Sequence, residues 1–264
     1  MPLAIVGVGL IGGSFARALR QAGYTEKIIG VSSASSTKKA LASGVIDEAL
    51  SLAEAAAQAD LIYLSQPIQQ ILTTLDVLQT DALITDAGST KAAICDRAKK
   101  LKRGRFVGGH PMAGKESRGV EHADPDLFRN RPYVLTAREP ALERWIERIG
   151  ARLVILDPQE HDRLVALVSH LPQLLSTALA SAIGADPEAA KVAGPAAQDL
   201  TRLALSPYEI WRDIFSTNAA SIDTALANFI AKLETLRAQL RSPEMEKVFT
   251  QSAAAARTLR GDHS

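Results

Sequence analysis

The feature that most constrains this chain is a glycine run set between a strand and a helix. Residues 3–8 form a short apolar run, as expected of a strand buried on both faces of a sheet. Gly7-Val8-Gly9-Leu10-Ile11-Gly12-Gly13 follows, and Ile11, Phe15, Ala18, Leu19 and Ala22 then recur at helical spacing up to Gly23. G-x-G-x-x-G in that setting predicts a dinucleotide site. The first glycine permits the tight turn, the second lets the backbone approach a pyrophosphate, and the third lets strand and helix pack closely. The helix N-terminus then offers free amides and a positive dipole end to the phosphates. Gly7, Gly9, Leu10, Ile11 and Gly12 are the expected cofactor contacts.

A second strand is expected over residues 27–31. At its end such a domain usually carries an acid that holds the ribose hydroxyls. Here the place falls on Ser32, followed by Ser33, further hydroxyl residues, Lys38 and Lys39. No carboxylate stands there to repel a 2′-phosphate, and hydroxyls with nearby lysines could accept one, so NADP is expected in preference to NAD. The alternative is a serine-rich loop that only caps the next helix. Strands and helices then alternate at short spacing: a strand over 60–65 closed by Gln66-Pro67, also expected to border the cofactor, then a strand over 82–86 and a turn, Ala87-Gly88-Ser89-Thr90-Lys91, that opens a helix. That alternation predicts a parallel sheet.

A third stretch carries the chemistry. Residues 105–107 read as a buried strand, and Gly108-Gly109-His110-Pro111-Met112-Ala113-Gly114 follows. In open α/β sheets ligands bind beyond the carboxyl ends of the strands. A histidine delivered there on a rigid turn can act as general acid or base; alone it could equally do no more than tie down a loop. Ser89, at the end of the neighbouring strand, could orient that imidazole or could be a plain helix cap. Lys91 reads as a first-turn surface lysine. Residues 115–130 form a polar connection, expected as a flap, and two further strands are expected at 131–136 and 152–156 around a helix over 140–149. The alternation stops at Asp157, so a Rossmann-like domain is expected over residues 1–156 and an all-α domain over 157–264.

The helical half holds two polar interruptions. His170 and Pro172 lie within an apolar helix, where each is costly unless used. Arg202 lies among apolar residues, and a buried guanidinium wants a carboxylate from protein or ligand. His161 is expected in a capping or interdomain hydrogen bond rather than in chemistry. Ile222, Leu226, Phe229, Leu233, Leu236 and Leu240 make a narrow seam for another helix, from this chain or a second copy. Residues 253–264 look like fraying helix and tail.

Composition removes other classes. The net charge of +1 gives no field for nucleic acid, and the single cysteine, Cys95, allows neither a disulfide framework nor a thiolate metal cluster, which suits a reducing cytoplasm. No metal-ligand pattern is present, and the first residues lack the basic flank and cleavage site of a signal peptide. Residues 164–185 are apolar and long enough to span a bilayer, but their histidine, proline, glutamine and serines point to a helix buried in a helical domain instead.

With these motifs in view, the chain resembles the prephenate/arogenate dehydrogenase family of tyrosine biosynthesis over roughly residues 2–240. The carriers are the glycine motif, Asp86-Ala87-Gly88-Ser89-Thr90-Lys91, Gly109-His110-Pro111-Met112-Ala113-Gly114, Ser169-His170-Leu171-Pro172 and Asp199-Leu200-Thr201-Arg202, with Trp211-Arg212-Asp213 after them. The resemblance implies a Rossmann domain and a helical dimerisation domain, arranged as in 6-phosphogluconate dehydrogenase, with the site between them. It implies that His110 takes the proton of the ring hydroxyl, that Ser89 bonds that histidine or the hydroxyl, that His170 positions substrate and that Arg202 holds a substrate carboxylate. Gln173 stands where many members carry another histidine, at the group that separates prephenate from arogenate, and prephenate is the expected substrate, with arogenate the alternative. No βαββαβ unit follows Leu240 that could serve as a regulatory module, so any feedback by tyrosine is expected at the active site. The implied partners are a small-molecule substrate and a second copy bound through the C-terminal helices, with no nucleic acid and no membrane.

Two rival readings are weighed. A β-hydroxyacid dehydrogenase or imine reductase would rely on a lysine in the helical half, yet Lys191 is the only one between Asp157 and Ala231 and nothing around it marks a site. A non-catalytic NADP-binding sensor would not need His110, Ser89, His170 and Arg202 together.

Overall fold

The computed structural model describes residues 1–115 and 117–260. Glu116, inside the expected flap, and residues 261–264 of the expected tail lie outside the described residues. The chain packs as two compact units, Met1–Ala219 and Ala220–Ser264.

In the first unit the glycine run joins β1 (Leu3–Val6) to α1 (Leu10–Gln21), and the alternation continues through β2 (Ile28–Val31), α2 (Ala34–Ala42), β3 (Glu48–Ala49), α3 (Leu52–Gln58), β4 (Leu61–Leu64), α4 (Ile68–Val77), β5 (Leu83–Asp86), α5 (Ala92–Lys100) and β6 (Phe106–Val107). The six strands form one parallel sheet in the order β3-β2-β1-β4-β5-β6. Their apolar runs are buried on both faces because helices cover both. Phe15 of α1 stacks on Tyr63 of β4 with ring centroids 4.2 Å apart, locking helix to sheet beside the glycine run. Strand order reverses between β1 and β4, which opens the crevice where such sheets bind ligands.

The expected parallel sheet is present and ends at residue 107. The chain leaves β6 and enters a second, three-stranded sheet made of β7 (Gly109–Pro111), β8 (Pro132–Leu135) and β9 (Arg152–Ile155), with β7 antiparallel to β8 and β9 parallel to it across α6 (Pro140–Arg148). His110 therefore sits within a short strand, opposite Val134, and not on a turn beyond a strand end. Gly109 makes the crossing possible: a Cβ there would stand 2.5 Å from the Asp86 carbonyl oxygen.

Helices follow: α7 (Pro158–Val165), a π-helical turn (Ala166–His170), α8 (Leu171–Gly184), α9 (Pro187–Lys191), α10 (Pro195–Thr201), a 3-10 turn (Arg202–Leu205), α11 (Tyr208–Ala238) and α12 (Glu244–Arg260). Asp157 caps α7, with Pro158 in its first turn. Pro172 stands in the first turn of α8, directly after the π turn, where its missing amide costs the helix least. The run Pro158–Gly184 is long and apolar enough to cross a bilayer by length and composition, but it is not simply buried, as sequence predicted. Its inward face is mixed, with His161, Asp162, His170, Gln173 and Ser176 buried beside Val165, Ala166 and Leu171, while Leu167 and Val168 stand exposed. In the second unit, Ile222 of the leucine-rich seam is buried and Leu233 and Leu240 are exposed.

Candidate active site

The cofactor side is built from backbone. Gly12 packs so closely that a Cβ would lie 2.5 Å from both the Gly7 carbonyl oxygen and Ser65 Oγ, while the Cβ position of Gly9 meets nothing within 4 Å. Ser65 Oγ donates to the Gly7 carbonyl at 2.9 Å and holds the turn. No side chain caps α1, so its first-turn amides, those of Leu10 and Ile11 among them, have no side-chain acceptor. This fits a pyrophosphate. A cleft of about 470 Å³ opens there, lined by Gly9, Leu10, Ile11, Gln66, Pro67 and Ser89 among others. Farther along, Ser32 is exposed after β2, and Ser33 caps α2 by accepting from Ser36 N at 3.3 Å. Lys39 is held by Glu121 at 2.9 Å, so of the two lysines only Lys38 keeps the role sequence gave it, that of a cation open to a phosphate.

His110 does not line this cleft; it lies on β7, whose exit brings Ala113 and Gly114 to the cleft wall, and it begins a chain of imidazoles. His110 Nδ1 is 2.8 Å from His161 Nε2, and His161 Nδ1 is 2.8 Å from Asp162 Oδ1. All three residues are buried. The carboxylate can only accept, so His161 Nδ1 donates to it; a neutral His161 then accepts at Nε2, and His110 must donate from Nδ1. The proton-free nitrogen of His110 is thereby fixed as Nε2. Asp162 is itself anchored, accepting from the backbone amides of Lys91 at 2.7 Å and Ala92 at 2.9 Å, where it caps α5. Burial, then the fields of His161, Lys91 and His170, push the His110 pKa well below the ordinary histidine value.

Sequence understated two members of this cluster. His161 does make an interdomain hydrogen bond, one of the two roles expected of it, across the expected boundary at residue 157, but its partner is His110, so it belongs to the chemistry that the sequence reading denied it. Lys91 is not a surface lysine: it is fully buried, hydrogen-bonded to Asp86 and donating to the Gly109 carbonyl at 2.7 Å. Ser89 lies where expected, lining the cleft, but it does not bond His110, whose Nδ1 belongs to His161.

The third wall comes from the helices. His170 is buried, edge-on to Trp211 at 5.9 Å, with Asn218 Nδ2 3.4 Å from its Nδ1; Asn218 also donates to the Asp162 carbonyl at 2.7 Å. Burial lowers the His170 pKa to about 4, against an opposing pull from Asp162. Gln173 is turned inward: its Nε2 donates to the Leu203 carbonyl at 2.9 Å, and Ser176 Oγ accepts from Ala204 N at 3.0 Å. These bonds tie the turn that begins at Arg202 to α8. Sequence put Arg202 in an apolar interior; it is exposed instead, because it opens a short turn between α10 and α11. Among the described residues no group of three or more histidine, cysteine or acidic side chains could hold a metal.

Comparison with known proteins agrees with this architecture. The family model "Prephenate dehydrogenase, nucleotide-binding domain" matches residues 15–162, and "Prephenate dehydrogenase, dimerization domain" matches residues 157–252. Prephenate dehydrogenase of Lactococcus lactis subsp. cremoris (strain MG1363) is 33% identical over 93% of this chain and 73% of its own length. The solved structure of prephenate dehydrogenase from A. aeolicus, in complex with hydroxyphenyl propionate and NAD+, superposes with a TM-score of 0.88 at 31% identity, covering 100% of this chain and 98% of that one. Synechocystis arogenate dehydrogenase gives a TM-score of 0.84 at 31% identity, covering 98% of this chain and 100% of that one. A nicotinamide-binding Rossmann domain, an ordered pair of buried histidines beside it and matches over nearly the whole chain lead to one conclusion: this chain belongs to the prephenate dehydrogenase family of oxidoreductases.

Proposed function

We propose that this chain converts prephenate to 4-hydroxyphenylpyruvate and carbon dioxide with NADP as hydride acceptor, in tyrosine biosynthesis. The carrying observation is the His110–His161–Asp162 chain, which holds a buried neutral imidazole with its proton on Nδ1, on the strand that leads to Ala113 and Gly114 of the cleft wall. When bound, the nicotinamide accepts hydride from the carbinol carbon. His110 takes the hydroxyl proton as that hydride leaves. Loss of carbon dioxide then makes the ring aromatic, and the ring oxygen recovers a proton as a phenol. Aromatisation drives the sequence, so the protein's work is orientation and proton handling. Ser89, on the cleft wall, bonds the substrate hydroxyl; His170 sets the ring's far side; Arg202 closes on a carboxylate as a charge-assisted pair.

NADP is preferred because no acid follows β2 at Ser32, and Ser32, Ser33 and Lys38 offer hydroxyls and a cation. The functional division falls at residue 157, with a cofactor half over 1–156 and a substrate and dimerisation half over 157–264. Exposed Leu167, Val168, Leu200 and Leu205 support a homodimer through the helices, and the single cysteine suits the cytoplasm. One observation favours arogenate as a second reading: Gln173 Nε2 donates to the Leu203 carbonyl and to Thr177 Oγ1, which leaves the acceptor oxygen Oε1 for a substrate group such as an ammonium.

The test is a two-by-two assay of prephenate and arogenate with NAD and NADP, followed by absorbance of the reduced cofactor. The expected result is fastest turnover with prephenate and NADP. No signal in any of the four mixtures removes the reading.

A further inference from the structure

Behind His110 lie two buried charges that reach no cleft. Asp86 ends β5, Lys91 stands just before α5, and both side chains are fully buried and paired with each other. We propose that this pair is a clamp on Gly109 and that Lys91 is a positioning residue for His110, an inference resting on the base role given to His110 above. Strand β7 is the edge of the second sheet, so the backbone groups of Gly109 that turn away from β8 have no neighbouring strand. The clamp supplies what a strand would. Asp86 Oδ1 accepts from Gly109 N at 3.1 Å, and Lys91 Nζ donates to the Gly109 carbonyl at 2.7 Å. The other carboxylate oxygen accepts from Gly88 N at 2.8 Å, which fixes the acid in turn. The gripped carbonyl belongs to the peptide whose nitrogen is that of His110, so its placement sets the imidazole's placement across the seam between the two sheets.

Energetics support a placing role over a stabilising one. A buried ion pair contributes little net stability against apolar groups of the same volume, because desolvation offsets attraction. Apolar groups, however, could not hold an edge-strand amide and carbonyl. Lys91 also acts on the imidazole as a fixed cation, and its field adds to burial and to the coupling with His161 in disfavouring an imidazolium at residue 110.

The test compares Lys91→Met, which removes the grip on the carbonyl, with Asp86→Asn/Lys91→Met, which leaves no lone buried charge and keeps an acceptor for Gly109 N. Thermal midpoint, cofactor affinity, kcat, KM and the NMR titration of the His110 ring are measured in the full chain. The expected result is a kcat lowered roughly tenfold to a hundredfold in both variants, as for a displaced reacting group. Substrate KM and cofactor affinity stay at the wild-type values, and His110 in Lys91→Met titrates at higher pH than in the wild type. Should Lys91→Met fail to fold, the double variant carries the kinetic arm. A folded double variant with wild-type kcat, or one whose loss lies in KM or cofactor affinity, overturns the clamp. So does an unmoved His110 titration in folded Lys91→Met. If the wild type turns over none of the four substrate and cofactor mixtures, the proposed function fails, while the ring titration still decides whether the clamp acts on His110.

Discussion

The surroundings of His110 and those of Arg202 are built on opposite plans. His110 is buried, with Nδ1 bound to His161, its strand paired to β8 and its preceding residue gripped on both backbone groups. Arg202 is exposed on a four-residue turn that two bonds from Gln173 and Ser176 tie to α8. A proton-transfer group must be held within a fraction of an ångström before substrate arrives. A carboxylate-binding arginine needs reach, and its planar fork supplies the geometry when the partner comes. Within the proposed reaction, the buried region should therefore govern turnover and the exposed one should govern binding.

The sharpest break of that contrast is His110→Ala. It should lower kcat by roughly a hundredfold or more, the upper part of what a positioned general base supplies, with cofactor affinity intact by equilibrium titration. Loss of cofactor binding in parallel would make the histidine a structural element. His161→Gln comes next. It keeps bulk and polarity but cannot pass on the orientation set by Asp162, so kcat should fall about tenfold with KM unchanged. Arg202→Ala should do the reverse, raising KM for substrate about tenfold at nearly constant kcat, since a charge-assisted pair contributes on the order of 1.5–3 kcal/mol. A large kcat loss there would erase the distinction between the two regions.

The same contrast explains what could be read from sequence. The first sheet, its order-reversing crevice and the cofactor cradle follow from a local pattern, because glycine spacing and apolar runs act within a few residues of themselves. The second sheet did not show. Nothing in Phe106-Val107-Gly108-Gly109 says that the chain leaves one sheet for another; that is settled by the close pass of Gly109 over the Asp86 carbonyl oxygen, a contact between residues far apart in sequence. Lys91 and His161 were hidden for the same reason. A lysine beside a helix start reads as solvated until tertiary packing covers it, and a histidine three residues past a helix-opening proline reads as a cap or an interdomain bond, with nothing local to name its partner. Arg202 was misjudged in the other direction, since apolar neighbours in sequence imply burial only when the segment itself is buried.

A smaller effect concerns pH. His110 and His170 both have depressed pKa values, chiefly through burial, so their neutral forms are favoured in the folded chain. Their contribution to stability is complete above the unfolded histidine value of about 6.5 and is lost as pH falls below it, for His170 down to about 4. The acid limb of kcat/KM should accordingly lie below pH 6.5, and thermal midpoints should drop over the same window. An acid limb at or above the ordinary histidine value would mean that the imidazole is hydrated and that the buried region is less rigid than its hydrogen bonds imply.

The smallest expected effect lies farthest from the chemistry. Ser32 is exposed, and Ser33 is already used as the cap of α2. Ser32→Asp puts a carboxylate where a 2′-phosphate would sit and where two ribose hydroxyls could be bound instead. The ratio of kcat/KM for NADP to that for NAD should fall about tenfold or more, while kcat at saturation with either cofactor stays near the wild-type value. An unchanged ratio would mean that the loop after β2 does not read the phosphate, and cofactor choice would then have to reside in Lys38 or in the Lys39–Glu121 pair that joins α2 to the connection after β7.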